Sequence, residues 1–139
     1  MVDANVIVAA FLRDSTVRRI VTLSLIDLLA PALLHEEVMR HFPDLRRRTG
    51  FSESAATELL SLLEGYLTPI PAEALLVTWD RASEAMAPID PNDVAYLAAA
   101  LAVDAPLWSD DPHLKEQALV PCWTTRELVA ELKADGLNL

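Results

Sequence analysis

Cysteine is nearly missing from this chain of 139 residues: Cys122 is the only one, so no intrachain disulfide can form and a reducing, cytoplasmic setting is expected. Glycine is scarce as well. With three glycines and no Gly-rich loop, the sequence argues against nucleotide binding of the Rossmann or P-loop kind. The longest apolar run, Val94 to Val103, is about half of what a membrane-spanning helix needs. No basic leader with an apolar centre opens the chain, so no membrane association is expected. The histidines, His35, His41 and His113, are scattered without zinc-type spacing and read as surface groups or as neighbours of ligands rather than ligands. Positive charge is short too: 11 Lys and Arg face 21 Asp and Glu, for a net charge of −10, unlike proteins that hold nucleic acid by bulk electrostatics. The deficit is uneven. Residues 1–48 carry seven Arg against six acids, or +1, while residues 49–139 carry four basic against fifteen acidic residues, or −11.

What is present is apolar material, at 53% of the chain, enough for one core and a single domain over residues 1–139. Met1 to Asp3 reads as a strand end, followed by helical material from Asn5 to about Leu25 with a break near Asp14 and Ser15. Ile26 to Ala30 reads as a strand, Pro31 as the first-turn proline of a helix reaching Phe42, and PDLRRRTG as a loop. Helices are expected at Ser52–Tyr66, Leu75–Met86 and from Asp90 to Val103, with a short extended piece at Thr68–Pro71. Ala105–Ser109 and Leu119–Trp123 read as buried strands around a short helix at Pro112–Gln117, and Thr124 to Glu127 as a capping box opening the last helix. Trp79, Trp108 and Trp123 are assigned to the core. Strands alternating with helices imply an α/β fold with a mostly parallel sheet covered on both faces.

Four acids stand out: Asp3 in VDAN, Glu37 in LLHEEV, Asp93 in DPNDVAYLAAA and Asp111 in LWSDD; three of them sit where a strand-like run ends or a helix begins, and Glu37 lies on a helix. Each has an ordinary explanation, as a turn former, a surface charge or a cap. Asp90 is read as a cap. Asp93 is not, because VAYLAAALAV after it is apolar enough to be buried, and a buried acid needs a cation. Carboxylates gathered at one sheet end, without cysteine or histidine, suit Mg²⁺ or Mn²⁺ and phosphate-ester chemistry.

VDANV, PALLHEEVMRH, DPNDVAYLAAAL and APLWSDDPHL resemble the four signature segments of the PIN domain, in that family's order, and the likeness continues through WTTRELV. The chain most resembles stand-alone prokaryotic PIN proteins, many of them VapC-type toxins. The resemblance implies an αβα sandwich with a central, mostly parallel sheet and Mg²⁺- or Mn²⁺-dependent cleavage of single-stranded RNA. It also implies frequent dimerisation and, for toxins, an antitoxin protein as partner. It assigns Asp3, Glu37, Asp93 and Asp111 as metal-holding catalytic acids, and Asn5 and Ser109 as polar helpers around the metal or the scissile phosphate. Glu36 and Asp110 are adjacent alternatives, and the strand before Asp3 is only two residues long. In the family's sheet order the first and fourth strands are neighbours, which would set Asp3 and Asp111 side by side.

Arg40 and the run Arg46, Arg47, Arg48 are candidates for the RNA backbone, or else a solvated loop. The stripe Val17, Ile20, Val21 and Leu25 is the candidate dimer surface. The competing reading is a PIN-like binding or dimerisation module with little catalysis, which has no use for four mutually repelling acids. A receiver-like Mg²⁺ pocket fits the composition but lacks a suitably placed lysine, since Lys115 and Lys133 follow no suitable strand.

Overall fold

The computed structural model describes residues 1–13 and 15–139; Asp14, half of the expected break in the first helical stretch, lies outside the described residues. The described elements are α1 (Ala4–Leu12), α2 (Thr16–Thr22), β1 (Leu28–Pro31), α3 (Leu34–Arg40), α4 (Phe42–Thr49), α5 (Glu53–Glu64), β2 (Leu67–Ile70), α6 (Ala72–Leu75) and α7 (Trp79–Met86). A 3₁₀ turn (Pro91–Asp93), α8 (Val94–Val103), β3 (Leu107–Trp108), α9 (Pro112–Lys115), β4 (Cys122–Trp123) and α10 (Thr125–Ala134) complete them.

The strands form two parallel ladders, β1 with β2 and β3 with β4. Residues 1–3 join them. Val2 donates its N–H to Leu29 O at 2.8 Å, Trp108 donates to Met1 O at 2.7 Å, and Val2 forms a parallel bridge with Trp108. The order across the centre is therefore β2, β1, residues 1–3, β3, β4, the expected αβα arrangement with first and fourth extended segments adjacent. Pro69 sits inside β2, where a missing N–H is tolerable because β2 is the edge.

The strands are shorter than their apolar runs. Of 105–109 and 119–123, only Leu107–Trp108 and Cys122–Trp123 pair as strands. Pro31 closes β1 instead of opening a helix, and α3 starts at Leu34. The segment PDLRRRTG is not a loop but most of α4. Its proline lies in the first turn, its three arginines in the last turn where the helix dipole favours cations, and Gly50 ends it at φ 73°. The expected helix 75–86 is interrupted: Leu76 and Val77 are exposed, and the Thr78 hydroxyl donates to Ala98 O at 2.7 Å, tying the break to α8.

At the centre of the core lies α8. Val94 to Ala100 are all buried, so the helix is apolar on every side, and its alanines let neighbouring elements approach closely. Asp104, left-handed at φ 51°, stops it before β3. Thr124 and Glu127 form the expected capping box of α10. Of the candidate dimer stripe, Ile20 and Val21 are buried in the chain's own core, Val17 is half-buried and Leu25 is exposed. Trp79 is 41% exposed rather than in the core, beside Leu76 and Val77. Among the described residues, no helix is long and apolar enough to cross a membrane.

Candidate metal centre

Four backbone starts converge at one end of the parallel strands. Asp3 ends the extended residues 1–3 and caps α1, its Oδ1 accepting from Val6 N–H at 3.2 Å. Asp111 follows β3 and caps α9, its Oδ1 accepting from His113 N–H at 2.9 Å. Asp90 caps the 3₁₀ turn, accepting from Asn92 N–H at 3.0 Å. Asp93 differs. It occupies the cap position of α8 but makes no capping bond, and its Oδ2 is buried without a hydrogen-bond partner. A buried carboxylate oxygen left unpaired costs stability unless a cation or proton answers it.

Ligand-capable atoms of Asp90, Asp93, Asp111 and His113 all lie within 4.8 Å of one another. His113 Nδ1 stands 3.3 Å from Asp90 Oδ2 and 3.6 Å from Asp111 Oδ1. Asp3 is linked to this group through Ser109, which is buried: the Ser109 hydroxyl donates to Asp3 Oδ2 and accepts from Asp111 N–H at 2.9 Å. Burial pushes the Asp93 carboxyl up to about 7, and the charges of Asp111, Asp90 and Asp3 push the same way. Burial likewise raises Asp3 to about 6, against the stabilising hydrogen bonds from Ser109 and Val6. Both shifts describe carboxylates crowded together in a dry place.

Of the four expected acids, Asp93 and Asp111 meet directly. Asp3 stands beside them with both oxygens already engaged, which leaves it further lone pairs. Glu37, half-buried on α3, is outside the 4.8 Å group. Its Oε2 accepts from the hydroxyl of Tyr96, a fully buried residue of α8 whose ionisation is suppressed by burial and by Glu37. Asn5 is exposed in the first turn of α1, and Glu36 is exposed. Asp110 turns away to the start of α10, where it accepts from the N–H and hydroxyl of Thr125, so it does not replace Asp111 in the group. Arg40, Arg47 and Arg48 are exposed; Arg47 pairs with Asp44, and Arg46 is half-buried near Glu53.

Three contributors were missed in the sequence. Asp90 caps as expected yet also joins the group, and His113, set aside for want of spacing, is brought in by α9. Tyr96 had a legible signal: three residues after Asp93, it shares a helix face with it.

The donor set suits a divalent cation. It offers oxygens from Asp90, Asp93 and Asp111, one of them buried and unpaired, and one imidazole. None of the curated proteins compared with this chain matches it. The family model described as PIN domain matches residues 1–133, nearly the whole length, and on that match and this fold the chain belongs to the PIN-domain family.

Proposed function

We propose that this protein is a Mg²⁺- or Mn²⁺-dependent endoribonuclease that cuts single-stranded RNA, acting as the toxin of a toxin–antitoxin pair. PIN domains are metal-dependent nucleases, and the observation that carries the reading here is the unpaired, buried Asp93 carboxylate among Asp90, Asp111 and His113. The toxin role, with an antitoxin and a second copy of the chain as partners, rests on the likeness of the four segments to VapC-type proteins.

When bound, the cation supplies Lewis-acid charge for phosphodiester hydrolysis. Asp93 and Asp111 would hold it, together with Asp90 and His113 and with Asp3 beside them. Ser109 orients Asp3 and fixes the turn that presents Asp111. Tyr96 occupies Glu37 Oε2, which leaves Oε1 free to take a proton from an attacking water. Arg47 and Arg48, at the end of α4, and Arg40, at the end of α3, would meet the RNA backbone, while Asn5 would contact the scissile phosphate.

The test is cleavage of unstructured RNA by purified protein. Activity in Mn²⁺ or Mg²⁺, its loss in chelator, and a drop of orders of magnitude for Asp93→Asn at unchanged fold are expected. Replacing Arg47 and Arg48 by Ala should raise KM and reduce the log–log salt slope by about 0.7 for each phosphate no longer neutralised, leaving single-turnover chemistry intact. Equal cleavage by unaltered protein and Asp93→Asn would mean a contaminant, and the binding-module reading would replace the enzyme.

A further inference from the structure

The signature segments point to a site made of carboxylates, but the centre in this chain contains an imidazole. His113 is placed there by three independent features. Its backbone N–H is held by Asp111 Oδ1, which fixes the start of α9. Its Nδ1 lies against Asp90 Oδ2 at 3.3 Å and Asp111 Oδ1 at 3.6 Å, so the ring is turned toward the acids. The ring is also about half exposed, with room to adjust its position around an ion. In the same group stands Asp93, 8% exposed, whose Oδ2 has no protein partner.

An aspartate–histidine ion pair at the surface would explain the Asp90 contact alone. It does not explain why Asp93, over nine-tenths buried, brings a carboxylate oxygen within 4.8 Å of the same group while its Oδ2 goes unanswered. Mg²⁺ binds oxygen ligands in strict octahedral geometry and keeps its waters, so an imidazole adds little to its affinity. First-row transition ions accept nitrogen readily, and Mn²⁺ is the one among them that also suits a carboxylate-rich set.

We infer that His113 is a nitrogen ligand of the centre and makes it select Mn²⁺ over Mg²⁺. The inference rests on the metal-dependent reading of the same site and adds to it a ligand and a preferred ion. Asp90 Oδ1 is used by the 3₁₀ turn, and its Oδ2 faces Nδ1, the ring atom that would take the ion, so metal binding replaces the proton shared between Asp90 and His113.

The experiment uses the full chain, stripped of metal, with Mn²⁺ and Mg²⁺ alone as probes. Calorimetric titration gives affinities for the unaltered chain, His113→Gln and Asp93→Asn, and electron spin-echo spectroscopy of bound Mn²⁺ reads nitrogen coupling directly. The unaltered chain should bind Mn²⁺ more tightly than Mg²⁺ and show a ¹⁴N coupling. His113→Gln should lose that coupling and weaken Mn²⁺ about tenfold, with Mg²⁺ changed less than twofold. Bound Mn²⁺ without nitrogen coupling in the unaltered chain overturns the inference, as does equal weakening of both ions in the variant. In those cases, if Asp93→Asn still abolishes binding, the metal centre stands and only the histidine ligand falls. If the unaltered chain binds neither ion, the metal-dependent reading falls with it.

Discussion

Removing one charge from the acidic group should make the metal-free protein more stable, the reverse of the usual effect of altering a buried polar residue. The perturbation is Asp93→Asn. An ordinary aspartate ionises near 3.8, and burial with three acidic neighbours lifts Asp93 to about 7. Below pH 3.8 the carboxyl is neutral in both folded and unfolded chains and adds no penalty. Between 3.8 and 7 the unfolded chain has lost the proton while the folded chain keeps it, so stability falls as pH rises; above 7 the loss is complete. At 1.36 kcal/mol per pH unit the whole interval corresponds to about 4 kcal/mol at pH 8. The asparagine amide, buried in the same place, returns about 2 kcal/mol of that as its own unpaired polar group. The net gain is about 2 kcal/mol, which for a chain of 139 residues raises Tm by about 7 °C. Chemical and thermal unfolding in chelator between pH 4 and 8 measures it, and saturating Mn²⁺ should then stabilise the unaltered chain but not the variant. A variant less stable than the unaltered chain at pH 8, or a difference that does not grow with pH, refutes the picture of a strained, cation-seeking carboxylate.

Tyr96→Phe removes the hydroxyl that engages Glu37 Oε2 at 2.8 Å. It should cost about 1 kcal/mol of stability by denaturant unfolding. It should also slow single-turnover cleavage with little change in KM, and an unchanged rate would show that Tyr96 does not position Glu37 for the chemistry. Light scattering at high micromolar concentration should give the mass of a dimer, joined through the exposed apolar segment around Leu76, Val77 and Trp79; Val77→Lys should return it to a monomer, and a monomeric unaltered chain rejects the expectation.

The helix starts were legible because their chemistry is local. Asp3 after a short extended run, Asp93 before an unbroken apolar helix and the Thr124–Glu127 box each announce themselves within a few residues. The same kind of signal misled at α4, where proline and glycine read as loop punctuation; they are the entry and exit of a helix whose interior is Asp, Leu and Arg, good enough helix material once Leu45 finds the core. Strand lengths were overread because the runs around β3 and β4 contain exposed residues, Pro106, Leu119 and Pro121, two of them prolines with no N–H to give to a ladder. Asp90 and His113 are 23 residues apart, and what brings them within 3.3 Å is the packing of the 3₁₀ turn beside α9. No spacing rule reports that. Metal-ligand patterns are recognised in sequence when all the ligands share one loop or helix, and here they come as two pairs, Asp90 with Asp93 and Asp111 with His113, from separate elements.

The bond from Ser109 to Asp3 closes a loop of 106 residues. Contacts of such separation are among the last a folding chain can form, since nearly all of its length must first be held in place. During synthesis the constraint is absolute: Asp111 emerges 108 residues after Asp3, and β4 later still. A ribosome-bound fragment carries Asp3, Glu37 and even Asp93 without the group that would unite them. If the chain cuts RNA, it is harmless to the ribosome and message that produce it until Asp111 and β4 have emerged, a delay written into strand order rather than supplied by any inhibitor.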